Sequence, residues 1–85
     1  MNSTKLFEEL QNVAKSLNIK IIQGKGNFKG GFCILQKEKI IVLNKLYPIE
    51  QKTHAFIKAL SLLDISEVYI KPMIRELIES EKTTT

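Results

Sequence analysis

The sequence predicts an α+β domain: one helix, a three-stranded and mostly antiparallel sheet, then two helices packed on that sheet. Three observations carry this. All four glycines fall between Gly24 and Gly31, directly ahead of two short apolar runs, Phe32 to Leu35 and Ile40 to Leu43. Those runs are too short for helices and rich in branched or aromatic residues, as strands are. Apolar residues recur at helical spacing on both sides of them, and Pro48 and Pro72 each stand where a helix begins, the position at which a missing N–H costs nothing. The order helix, strand, loop, strand, strand, helix, helix makes a layer of helices on one small sheet.

Taken in order, Leu6, Leu10, Val13 and Leu17 recur every three or four residues and predict a helix over 4–17. Ser3 or Thr4 suits its cap, Glu8 and Glu9 suit the positive end of its dipole, and Asn18 suits the left-handed residue that stops it. Residues 19–23 read as a strand with Ile19 and Ile21 inward. The glycine loop follows. Next comes a hairpin turning at Gln36-Lys37-Glu38-Lys39, although that turn lacks the Asn-Gly signal of the tightest hairpins. Its two strands are apolar on both faces, which predicts that both are central or well covered, with Leu35 and Ile41 buried. Pro48 opens a helix that runs to about Leu63, buried along Ile49, Thr53, Phe56, Leu60 and Leu63. One narrow polar strip remains on it: Gln51, His54, Lys58 and Ser61. That pattern calls for a second neighbour besides the sheet, namely the last helix, which starts at Pro72 and runs to about Ser80. Residues 1–80 form a single domain and residues 81–85 a disordered tail.

The 85 residues suffice for one domain with a modest core, 44% of them apolar and none of them tryptophan. One cysteine, Cys33, forms no internal disulfide and no thiolate metal cluster, which fits a reducing, cytoplasmic compartment. No apolar run reaches the roughly 20 residues that span a bilayer, and the N-terminal residues lack the apolar core of a signal peptide. The expectation is a cytoplasmic protein with no membrane partner and no cofactor. The formal charge of +4 is uneven: residues 15–58 hold nine lysines against two glutamates. A basic block of this kind attracts an anionic partner, RNA or DNA backbone above all. It is equally the pattern by which lysines keep exposed strand edges from pairing with other chains.

The candidate residues follow from that block. Lys20, Lys25, Lys29, Lys37 and Lys39 would supply charge to a nucleic-acid backbone, and Phe28, flanked by lysines, would either stack on a base or fold back on the core. Lysine with a single arginine favours diffuse phosphate attraction over base-specific readout. The loop spacing, Gly-x-Gly-x-x-x-Gly-Gly, is neither a dinucleotide nor a phosphate-loop fingerprint, and a strand follows where both need a helix. Its glycines equally serve as a tightly turning connector. His54 reads as a solvated helix residue and Cys33 as a buried, inert thiol. The carboxylates are scattered, with Arg75 and Glu79 placed as a surface i, i+4 pair. The chain is therefore expected not to be an enzyme.

The run Gly30-Gly31-Phe32-Cys33, then Lys39 to Asn44, then Pro48-Ile49-Glu50 and the helix around His54, resembles the strand–strand–helix core of the ImmA/IrrE-type metallopeptidases. In that family the helix carries a His-Glu-x-x-His zinc motif. Here Ala55 follows His54, and Lys58 stands where the second histidine would be, so the resemblance carries over no catalytic or metal-binding role. The chain also resembles small bacterial proteins of similar length that share the Gly-Gly-Cys hairpin and a Tyr-x-x-Pro-x-x-Arg stretch, here Tyr69, Pro72 and Arg75. Two functions remain open: a binding module for nucleic-acid backbone, and a protein-interaction or self-associating module without nucleic-acid contact.

Overall fold

The structure is a computed structural model that describes residues 2–28 and 30–84. It has three helices and one three-stranded sheet: α1 (Ser3–Ser16), β1 (Ile19–Gly24), β2 (Gly31–Leu35), β3 (Glu38–Asn44), α2 (Ile49–Leu60) and α3 (Pro72–Thr84). The α+β class and the element order are those the sequence predicts. The strand order is β1-β3-β2. The sheet is mixed: β2 and β3 form the antiparallel hairpin, with Phe32 opposite Ile41, while β1 runs parallel to β3, with Ile21 opposite Ile41. The parallel pair arises because the chain passes from β1 to the far side of β3 before β2 begins, with Gly26 and Phe28 held at the end of β3, so the third strand enters between the first two.

Strand alternation sorts the side chains. Ile19, Ile21, Phe32, Ile41 and Leu43 face the helices and meet Phe7, Leu10, Val13 and Ala14 of α1 and Phe56, Ala59 and Leu60 of α2. Phe7 and Phe56 meet edge to face, centroids 5.6 Å apart and planes at 76°, a geometry aromatic quadrupoles favour. Helix α3 packs on α1 and α2 and adds Ile74 and Ile78 to the core, without touching the strands. Thus α2 does have the last helix as its second neighbour. The expectation that both later helices sit on the sheet holds for α2, while α3 forms a further layer.

The 61–71 connector is held by its own polar groups. Ile65 and Ile70 are buried. The Arg75 guanidinium donates to the carbonyls of Ile65 (3.0 Å) and Val68 (2.9 Å), so the expected Arg75–Glu79 pair is replaced by a clamp on the preceding loop. The Ser66 hydroxyl and amide beside Asp64 hold its carboxyl below the usual carboxylate range. Glu9 reaches Lys71 at 3.0 Å and ties α1 to the start of α3.

Several local expectations change. The α1 cap is Asn2, whose side-chain oxygen accepts from the Lys5 amide at 2.8 Å, because the helix starts one residue earlier than the apolar spacing shows. Pro48 is the cap of α2, not its first residue, and α2 ends at Leu60. Residues 81–84, expected in a disordered tail, continue α3; Glu81 lies 3.4 Å from His54 of α2 and anchors them. Asn18 takes the left-handed conformation expected of it. The hairpin turns on Gln36 and Lys37, both at positive φ, the mirror-image two-residue turn that matches strand twist.

The largest correction concerns β2. It is an edge strand, and Cys33, Ile34 and Leu35 are exposed, Leu35 to 62%. An apolar run of four residues reads the same whether neighbours lie on both sides or on one. Ile41, at 0% exposure, is buried as expected. Ile41→Ala is therefore expected to cost about 2–5 kcal/mol in a denaturant melt. Leu35→Ala should stay within about 0.5 kcal/mol of wild type.

Candidate functional site

The glycine loop is organised by Asn44, the last residue of β3. Its side chain is 1% exposed. Its amide nitrogen donates to the carbonyls of Gly26 (2.8 Å) and Phe28 (2.6 Å), and its oxygen accepts from the Leu46 amide at 3.0 Å. The Lys45 amide donates to Gly24 at 2.9 Å. The loop is thus pinned across the end of the central strand, and both polar atoms of the asparagine side chain are used. Gly30 passes so close to β3 that a Cβ there would overlap the Val42 carbonyl oxygen, and its φ of +92 also requires glycine. The half-buried Phe28 ring lies against Gly24 and Gly26 of its own loop, not among the residues packed on the core.

This crossing divides the candidate lysines. Lys20, Lys37 and Lys39 come together at the hairpin-turn end of the sheet, around a shallow hollow of about 340 Å³ that also takes in Glu38. Lys25 and Phe28 lie at the opposite end, about 20 Å away at roughly 3.3 Å of rise per residue along β3. Lys29 lies outside the described residues. The candidate set therefore does not form one surface.

A different feature joins the loop to α2. A groove of about 480 Å³ runs between β2 and α2. Gly30 and Gly31 line it beside the apolar Phe32, Ala55, Ala59 and Leu62. The polar strip of α2, Gln51, His54 and Lys58, forms its upper wall; Ser61 of the same strip is buried and donates to the Lys58 carbonyl. His54 is turned toward Glu81, whereas the Lys58 ammonium has no partner among the described residues.

Beside this groove lies the free edge of β2. In an antiparallel ladder closed by a two-residue turn, Leu35, Cys33 and Gly31 bond to β3, and the backbone groups of Phe32 and Ile34 face outward. Ile34 is 63% exposed on the helix side of this edge. Spacing alone could not reveal the groove, because it depends on β2 being an edge. The narrow polar strip on an otherwise apolar α2 was its one trace in the sequence. Cys33 points to the face of the sheet opposite the helices and His54 stands on the helix side, so the two do not meet. Among the described residues no three His, Cys, Asp or Glu side chains gather as metal ligands would.

Asn44→Ala leaves two carbonyls and one amide without partners and should cost about 2–4 kcal/mol. Asn44→Asp is expected to be no better, since a carboxylate cannot donate to Gly26 and Phe28. Denaturant melts of both variants, with amide exchange of residues 24–31, check this; an aspartate variant as stable as wild type would contradict the donor role.

Compared with family models, with curated proteins and with solved structures, the chain finds no match.

Proposed function

We propose that the protein is a non-catalytic interaction module that docks an extended segment of a partner protein along the free edge of β2, with alternate side chains seated in the groove against α2. The observation that carries this reading is the pairing of an unprotected, apolar edge strand with a lined groove. Edge strands in isolated domains are ordinarily blunted by charge, proline or cover. β2 has none of these between Gly31 and Leu35. An added strand would satisfy the outward backbone groups of Phe32 and Ile34, and side chains pointing toward the helices would bury Ile34 and Leu62. The unpaired Lys58 ammonium favours a segment that carries an acidic group at that height of the groove. The separation of Cys33 from His54 supports a module without covalent chemistry.

The test is selection from a random displayed-peptide library on the immobilised protein. Recovered sequences should alternate apolar residues and carry an acid. Ile34→Pro removes an outward N–H and leaves the β3 ladder intact. It should weaken peptide binding at least about tenfold, the loss of roughly 1.4 kcal/mol. Lys58→Glu should abolish the preference for acid. Binders indifferent to both variants, or a library that yields none, would count against the groove.

A second reading rests on the convergence of Lys20, Lys37 and Lys39 at the hairpin end, a footprint for a nucleic-acid backbone. Binding of single-stranded RNA there should be sequence-tolerant and steeply salt-dependent, each lost phosphate contact lowering the log–log salt slope by about 0.7. Lys37→Glu with Lys39→Glu should lower that slope, and Lys25→Glu, at the far end of the sheet, should not. A fluorescence titration at several salt concentrations separates the cases; no binding at low salt would remove this reading.

A further inference from the structure

The outward backbone groups of the β2 edge belong to Phe32 and Ile34, one on each side of Cys33, so they are placed symmetrically about one residue. Two such edges can meet antiparallel in three registers that bring outward residues face to face. Centring on Phe32 sets Ile34 opposite Gly30, whose φ of +92 is not extended. Centring on Ile34 sets Phe32 opposite Gln36, which lies in the hairpin turn at a φ of 50. Centring on Cys33 sets Phe32 of each chain opposite Ile34 of the other and satisfies every outward N–H and C=O between Gly31 and Leu35. The helices fit that register. Helix α2 lies over both β2 and β3. With strands about 4.8 Å apart, a two-fold axis beside β2 sets the two α2 helices about 10 Å apart, the spacing of packed helices. Ala55, Ala59 and Leu62 line the groove at i, i+4 and i+7, a stripe with two small residues that allow this approach.

We infer that β2 of a second copy occupies this edge when no partner segment is docked. The two sheets join edge to edge about a two-fold axis between the paired Cys33 residues, with α2 packed on α2. The inference rests on the reading of the edge as a docking strand and names what holds it in the absence of a partner. The register selects a copy as the occupant: the same five residues present matching donors and acceptors on both sides of the axis, and the groove beside them takes the same helix that lines it. Ile34 and Leu62, 63% and 69% exposed, lie on this side of the chain and are covered by their counterparts. The contact takes in roughly half the residues a side of a standard interface. Each copy also brings to it a net charge of +4 and the Lys58 ammonium, which has no partner among the described residues. Self-pairing is therefore weak and strengthened by salt. It gives way to a segment whose acid pairs with Lys58, so the copy acts as a displaceable cover for the groove.

Sedimentation equilibrium from about 10 µM to about 1 mM should show the mean mass rising from 9.7 kDa toward twice that value, and Ile34→Pro, which removes an outward N–H, should hold it at the monomer. Cys33 gives a second reading, made on the wild-type chain. The register makes it a pair without hydrogen bonds, Cα atoms about 4.5 Å apart, within the reach of a disulfide. Diamide takes two protons and two electrons from the two thiols, is itself reduced to the hydrazine, and leaves one disulfide between the chains. At about 1 mM the wild type should cross-link at least about tenfold faster than Cys33→Ser with Leu35→Cys, whose thiol-bearing residues the same register holds about 13 Å apart. Adding an acid-bearing peptide selected on the immobilised protein should slow the Cys33 cross-link and return the mass to one chain with one peptide. A mass that stays monomeric at the highest concentration overturns the proposal. So does a mass that rises while the two thiol positions cross-link equally fast, or a dimer that persists with the peptide bound. The two readings fail separately: a library without binders removes the docked segment, and a monomeric wild type that still binds peptide removes the copy.

Discussion

The Asn44 side chain is the constraint on which this structure depends. A parallel β1–β3 pair with β2 on the far side requires the chain to cross the end of β3, and a crossing loop exposes carbonyls that need donors. One buried amide supplies two of them, to Gly26 and Phe28, and uses its oxygen to start the turn toward α2 through Leu46. Aspartate would keep the acceptor and lose the donors, and serine would lack the reach. The same residue therefore sets where the loop lies, where β2 begins and where α2 is launched.

That crossing explains the groove. Gly30 is pressed against the Val42 carbonyl, and the chain enters β2 through two successive residues without side chains, Gly30 and Gly31. The groove is lined by residues with little or no side chain, Gly30 and Gly31 on the strand side and Ala55 and Ala59 on α2. A backbone requirement of the fold thus creates the space that a docked segment would use.

Much of this was legible in the sequence. The helical faces were, because three- and four-residue spacing reports burial directly: Phe7, Leu10, Val13, Phe56 and Leu60 all enter the core. Asn18 was legible because few residues tolerate its conformation. The edge position of β2 was not, since Phe32 to Leu35 has no polar alternation to show which neighbours it lacks. The role of Asn44 was hidden for a related reason. An asparagine after an apolar strand reads as the start of a turn, and its long-range partners lie 16 and 18 residues earlier. The lysines gave a compositional signal and no geometry. Residues adjacent in sequence, such as Lys25 and Phe28, lie a strand length away from Lys37 and Lys39.

The central strand β3 is apolar on both faces. Burial on the helix side accounts for Ile41 and Leu43, and Ile40 and Val42 face the other side. Ile40 is nonetheless 4% exposed, screened by Lys20 and Cys33 on the flanking strands. The flanking Ile22 and Leu35 extend the same surface outward to both edge strands. Lysine 20, with its long aliphatic stem, can cover part of such a surface. Helices α1 and α2 thus supply one layer of cover, and on the other face the centre of the sheet is screened by side chains of its own flanking strands.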